Sequence, residues 1–166
     1  IQTESHPVID LLLTSYSPRA FTNEVVSDFA VEQILKTGIK SPSARNRQPW
    51  KFTVVRDEAL KKAIISSVTE GNVLIVVSGQ GEGAHVDFDC ALATQSMFIA
   101  AQGLGLGGRI YTGPVRSVNE NLKDDLGIAE GYRVVAILRI GHLDPTIDAV
   151  SAATPRNPFE DVVNYK

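Results

Sequence analysis

The 166-residue chain has one cysteine, one methionine, one tryptophan and three histidines. A lone Cys90 rules out an internal disulfide framework and any multi-cysteine metal centre. His6, His85 and His142 stand far apart, without the spacing that metal ligation needs, so zinc chemistry is not expected. Long apolar runs are also missing: the longest aliphatic stretch is 73–77, against the roughly 20 residues that span a bilayer. The N-terminus lacks the basic-then-apolar order of a signal peptide, so the cytoplasm is the default location; because the chain starts at Ile1, a removed leader stays open. Neither charge dominates. Sixteen basic against nineteen acidic residues give a net charge of −3, which does not suit a protein that binds nucleic acid by bulk charge. No internal repeat or low-complexity tract is present. What remains, 43% hydrophobic with 13 Gly and 8 Pro, is the composition of one ordinary domain with a substantial core.

The pattern of apolar and turn residues predicts the elements. Pro7 opens a short helix through Leu13, interrupted only by Asp10 and therefore expected to be well buried. Ser27 caps a second helix that carries Phe29, Ile34 and Leu35 and stops at Gly38. Residues 39–50 have no period and lead into a strand at 51–55. Asp57 starts a helix through Ile65, and Gly71-Asn72 turns the chain into a strand at 73–77 with both faces covered. Residues 86–102 form a helix of about five turns, almost uncharged after Asp89, which must be central or shared with a partner. Glycines at 103–113 make a turn. A polar helix follows near 117–126, with Ser117 and Glu120 as a capping box, and then a strand at 132–140. The last stretch, 144–166, is too extended to pack wholly on its own body, and residues 159–166 suit a strand added to another subunit's sheet. Interleaved strands and helices of this kind make an α+β or α/β layered domain.

Four features carry possible chemistry. Gly103-x-Gly105-x-Gly107-Gly108 follows a helix and precedes the β-like Arg109-Ile110-Tyr111, so it reads as a helix C-cap and turn, not a dinucleotide loop. The backbone near Gly113, before Pro114, is free to present N–H groups to a ligand. Eight basic residues face only Asp57 and Glu58 within 36–62. Solvated helix faces account for much of that excess, but Arg45 and Arg47 flank Asn46 in a loop with Ser43 and Gln48, a mixture that meets anionic or amide-bearing ligands. Nearby Trp50 and Phe52 invite a nucleic-acid reading, but no pattern of a nucleic-acid-binding fold accompanies them. Ser15-Tyr16-Ser17-Pro18-Arg19 ends a helix with three hydroxyls and one guanidinium, groups that donate to phosphate oxygens; a plain turn is the alternative. Arg156, between prolines, is a further point charge if the tail docks. No nucleophile and base stand together: Ser5-His6, His85 with Asp87 or Asp89, and Cys90 lack any accompanying motif. If the chain is an enzyme, its reactive atoms belong to a bound cofactor.

Taken in order, Ser17-Pro18-Arg19-Ala20-Phe21, the segment SPSARNRQPWKF at 41–52, the Gly103-Leu104-Gly105 turn running to Gly113, and Pro155-Arg156 resemble the nitroreductase family of FMN-dependent oxidoreductases. The resemblance covers nearly the whole chain, and the PSxxNxQPWxF pattern from Pro42 is its most specific part. It implies a single α+β domain over 1–166 with a central, mainly antiparallel sheet flanked by helices. It further implies an intertwined homodimer with FMN at the interface, in which about 145–166 packs as a tail on the partner. Ser17, Arg19 and Arg156 would hold the FMN phosphate, with Ser15 and Tyr16 at neighbouring positions. Pro42, Ser43 and Ala44 would lie against the isoalloxazine from the other subunit. Asn46 would bond the ring edge, Gln48 would join this cofactor-binding set, and the backbone at Thr112 and Gly113 would face flavin N5.

The resemblance also implies hydride transfer from NADH or NADPH through N5 to a nitroaromatic, quinone or flavin in ping-pong fashion, with no catalytic side chain, metal, nucleic acid or membrane involved. Family members usually carry a basic residue one or two positions before the first serine of S-x-R. Ser15 and Tyr16 stand there in this chain, so weaker FMN binding is expected. Two other readings stay open: a flavin-binding or regulatory protein without catalysis, and an interaction module that has lost FMN. NAD(P)H would not bleach the first, and the second would purify colourless.

Overall fold

Five consecutive aliphatic residues, Val73 to Val77, can be hidden from water only if both faces of their strand are covered. The computed structural model, which describes residues 5–147 and 155–166, puts them at the centre of the sheet. Strand β1 (Trp50–Val55), strand β2 (Val73–Gln80), strand β3 (Gly107–Tyr111) and strand β4 (Tyr132–Gly141) form one antiparallel sheet in the order β1-β2-β4-β3. Residues 73–79 of β2 are all buried. Thr53 pairs with Val76, Val76 with Ile137 and Ile110 with Leu138, and the β2–β4 register slips once between Val77 and Ser78.

Strand β3 lies where the sequence reads as a glycine turn. A Cβ on Gly107 would run into Pro18, Phe21 and Leu143, and one on Gly108 would press on Phe98. These glycines therefore let an edge strand approach its neighbours closely, a tertiary requirement that looks like turn chemistry in one dimension.

The sheet has two covered faces. On one, Val73, Ile75, Val77, Leu138 and Ile140 meet helix α2 (Asp28–Ile39) and helix α4 (Ala84–Gly103) through Ile34, Cys90, Ala93, Met97 and Phe98. On the other, Leu74, Val76, Val134 and Ile137 meet helix α3 (Glu58–Ile64) and helix α5 (Val115–Asn121) through Ile64 and Val118. The alternation along β2 sends successive side chains to opposite cores. Ser27 caps α2 by accepting from the Ala30 N–H, and Asp57 caps α3 by accepting from the Leu60 N–H. Gly38 is not the stop of α2. It lies one residue inside, buried, where a Cβ would press on Met97 and Phe52.

Helix α4 is central as expected and leaves one stripe uncovered, with Phe88, Ala91 and Gln95 exposed. Helix α1 (Pro7–Thr14) departs from expectation: none of its residues is buried, and Leu13 is 79% exposed. One copy of the chain supplies too little apolar surface to cover it. The capping box also fails, because α5 begins after Pro114 and Ser117 lies inside it; Glu120 pairs with Arg116 instead. The tail is not a strand at 159–166 but holds one short helix α6 (Phe159–Val162), and the part of it at 148–154 lies outside the described residues. Among the described residues no helix is long and apolar enough to cross a membrane, and no group of three or more His, Cys, Asp or Glu is placed to hold a metal.

Candidate functional site

Helix α1 ends at Ser15, whose hydroxyl donates to the Leu12 carbonyl at 2.9 Å. That O–H closes the helix and is not offered to a ligand. The Tyr16 N–H donates to Gln102 Oε1 at 3.1 Å, which ties the segment to the C-terminal end of α4. The Arg19 guanidinium is exposed, and one of its five N–H donors holds the Ser17 carbonyl at 2.9 Å. A guanidinium fork suits a phosphate dianion, and Arg19 presents one at the surface, whereas the Ser15 O–H is already engaged with the Leu12 carbonyl. Of the two neighbouring positions, Tyr16 contributes at most its ring and hydroxyl, since its amide is already paired.

The loop before β1 is built differently. Ala44–Asn46 make one 3-10 turn, and Arg45, Asn46 and Gln48 all have φ near +50°. Left-handed backbone in a non-glycine residue costs roughly 1–2 kcal/mol, and such strain persists only where the surroundings over-determine it. The Gln48 N–H donates to Ser43 Oγ at 3.0 Å, the Asn46 N–H to the Ser43 carbonyl at 3.0 Å, and the Arg47 N–H to the Ala44 carbonyl at 3.1 Å. Gln48 thus closes the loop through its main chain, and its side-chain amide donates to the Asn46 carbonyl. Pro42, Ala44 and Asn46 are exposed along the outside. Three contacts reach the loop from α4: the Ala44 N–H donates to Asp89, Ser41 and Ser96 share a hydroxyl contact at 3.0 Å, and an Arg47 nitrogen lies 3.4 Å from the His85 ring.

Thr112 and Gly113 follow β3 and are exposed. Nothing lies within 4 Å of where a Cβ on Gly113 would stand, so a flat ligand has room against this backbone. Arg156 is exposed just ahead of α6 and takes part in an interaction of its own.

These segments do not converge within one chain. The Ser15–Arg19 segment and the Pro42–Gln48 loop are fastened to α4 at Gln102 and Asp89, thirteen residues apart, or about 20 Å along a helix axis. The loop leads into β1, one edge of the sheet, while Thr112 leaves β3, the other edge. Three interstrand spacings, about 14 Å, lie between those strands.

Cys90 is fully buried against β2, with its sulfur 3.9 Å from the Ser78 carbonyl. Burial pushes the thiol up to about 11, with Arg133 opposing and Asp87 and Asp89 reinforcing the shift. At pH 8 only about one thiol in a thousand is then ionised. A thiol reagent at pH 8 should leave the native protein unmodified and label it once per chain in denaturant. Rapid native labelling would show that α4 opens. His85 stands with its ring 3.4 Å from an Arg47 nitrogen and forms no pair with a nucleophile.

Asp89, Ser96 and Gln102 hold the site's loops, and the sequence reading did not single them out for that role. One signal was there: Asp89 is an acidic residue in a helix otherwise nearly free of charge, which demands a buried donor.

The nitroreductase family model matches this sequence over residues 13–73 and 66–142. The chain belongs to the nitroreductase family. An Archaeoglobus fulgidus protein provisionally named as an NADH dehydrogenase/NAD(P)H nitroreductase is 31% identical over 163 residues, covering 90% of this chain and 93% of that one. Among solved structures, an FMN-bound nitroreductase from Desulfitobacterium hafniense superposes with a TM-score of 0.81 at 23% identity, over 98% of this chain and all of its own. A provisionally named nitroreductase from Desulfovibrio desulfuricans, in complex with FMN, gives 0.84 at 24% identity, over 98% of both chains. The nitroreductase fold, α+β with its sheet between helices, is thus shared along the whole length.

Proposed function

We propose that this nitroreductase-family chain is an FMN-dependent NAD(P)H oxidoreductase that works as a homodimer and delivers electrons to a small acceptor such as a nitroaromatic, a quinone or a free flavin. The observation that carries the reading is the split donor set: Arg19, Ser17 and open backbone at Gly113 toward one edge of the sheet, and a strained, exposed loop at the other. Two copies facing each other through α1 and the open stripe of α4 would bring one chain's phosphate segment to the other chain's loop. Exposed apolar residues on those surfaces, including Ile9, Leu13 and Phe88, support that contact. The relatives named as NAD(P)H nitroreductases, and those solved with FMN, support the cofactor and the reductant.

FMN, when bound, would supply two-electron chemistry between NAD(P)H and the acceptor, in keeping with a ping-pong cycle. The chain's own residues bind and orient. Arg19 and Ser17 hold phosphate charge, Arg156 adds a cation, Pro42 to Ala44 give a flat face, and Asn46 and Gln48 border the ring edge. The backbone of Thr112 and Gly113 orients the N5 side. No side chain has to move a proton. The chain acts as one domain, with its tail, described over 155–166, packed on the partner.

The test is the visible spectrum after incubation with excess FMN and desalting, followed by NADH or NADPH without air. About one flavin per chain that bleaches rapidly is the expected result. Retained flavin that does not bleach would favour a binding or regulatory protein. A colourless protein would favour an interaction module.

A further inference from the structure

We propose that Asp89 is the positioning residue that holds the Pro42–Gln48 loop in the shape that receives the flavin, an inference that rests on the FMN reading above. Its side chain is 1% exposed, and both carboxylate oxygens lie 3.2 Å from the Ala44 nitrogen, whose N–H donates to them. A buried carboxylate without donors is strongly unfavourable, so carboxylate and loop depend on each other.

The loop needs such an anchor. Arg45, Asn46 and Gln48 are all left-handed, and the bonds through Ser43 and the Ala44 carbonyl are internal to the loop. Internal bonds move with the loop and do not fix it in space. Ser96 fixes its start at Ser41, an Arg47 nitrogen lies 3.4 Å from the His85 ring near its end, and Asp89 fixes its middle at Ala44, the last of the three residues read as facing the ring. The anchor comes from α4, packed against the sheet through Cys90, Ala93 and Met97, so the loop inherits the rigidity of the core. Asp89, 1% exposed, acts through Ala44.

The experiment measures amide exchange at Ala44 in the FMN-free protein, and FMN affinity, in the unaltered chain and in Asp89→Ala, Asp89→Asn and Thr94→Val. Thr94 is equally buried five residues along α4, where its hydroxyl donates to the Cys90 carbonyl within the helix, so it reports general damage to α4. Asp89→Ala should speed Ala44 exchange and weaken FMN binding, each about tenfold or more. Asp89→Asn, which retains an acceptor oxygen, should recover part of both. Thr94→Val should leave both near the unaltered values.

Unchanged Ala44 exchange in Asp89→Ala would overturn the proposal. So would faster exchange with unchanged FMN affinity, or equal effects from Thr94→Val. If the unaltered chain takes up no FMN, the functional reading falls and this role with it. If the unaltered chain binds FMN and Asp89→Ala binds it equally well, only the role of Asp89 falls.

Discussion

Replacing Arg139 with alanine should destabilise the protein by roughly 3 kcal/mol, the scale of losing hydrogen bonds made by a buried charged group and stranding their neutral acceptors. Arg139 lies on β4 and is 4% exposed. Its Nε donates to Asn72 Oδ1 at 2.7 Å, one terminal nitrogen to Thr69 Oγ1 at 2.9 Å and the other to the Tyr111 hydroxyl at 3.3 Å. The guanidinium carbon also lies 4.2 Å from the centre of the Phe21 ring. Among the described residues no carboxylate pairs with it, so these neutral acceptors and the ring together carry the charge. Asn72 is 1% exposed and its Nδ2 already lacks a partner, so losing Arg139 strands the whole amide. The expected fall in Tm is roughly 10 °C. Urea unfolding of Arg139→Ala, Asn72→Ala and the double variant separates the causes. The double variant should lose less than the sum of the singles by about 1–3 kcal/mol, because the stranded amide goes with its partner. Simple additivity would mean that the two side chains act independently. The consequence reaches the site, since Phe21 follows the Arg19 segment and Tyr111 precedes Thr112.

Mixing two variants that each bind FMN poorly should restore intact FMN sites. Arg19→Ala removes the phosphate fork and should weaken FMN binding about 10- to 100-fold, the worth of hydrogen bonds to a charged group. Asn46→Ala alters the loop and should impair the opposite wall of the same site. In a composite site each homodimer of one variant has two damaged sites. A mixed dimer has one site with both lesions and one with none. Unfolding and refolding an equal mixture should therefore recover about a quarter of the unaltered protein's FMN sites, since half the dimers are mixed and each has one intact site of two. Recovery no greater than the average of the two parents would show that each site is built within one chain and overturn the two-copy reading. Weak dependence of FMN affinity on Arg19 would instead remove Arg19 from the phosphate role.

Much of this fold is legible in one dimension because its strongest signals are local. Five aliphatic residues in a row make β2 a central strand, Ser27 and Asp57 cap the helices that follow them, and Gly71 with φ +85° turns the chain into β2. The motif around Pro42 to Phe52 carries the family, because its residue types at those spacings are specific. The misses share a different cause. Gly38, Gly107 and Gly108 look like punctuation, yet each is needed because another element sits where a Cβ would be. Helix α1 looks like core, but apolar side chains reach a core only if a partner surface exists, and a single chain leaves them exposed. That the Ser15 hydroxyl donates to the Leu12 carbonyl at the end of α1 is likewise visible only in the folded chain.

By itself the sequence determined the chemistry on offer: an arginine and hydroxyls at a helix end, a loop rich in Arg, Asn and Gln, no nucleophile with a base in any motif, and a set of motifs that resembles one family of cofactor-dependent oxidoreductases. Only the tertiary structure decided where those pieces stand. The 3.6-residue helix period and the 2-residue strand period can be read from the chain, but distances between elements follow from packing. Packing sets the Ser15–Arg19 segment and the Pro42–Gln48 loop toward opposite edges of one sheet, and it sets Asp89 and Arg139 beneath them, where burial makes each hydrogen bond hard to give up.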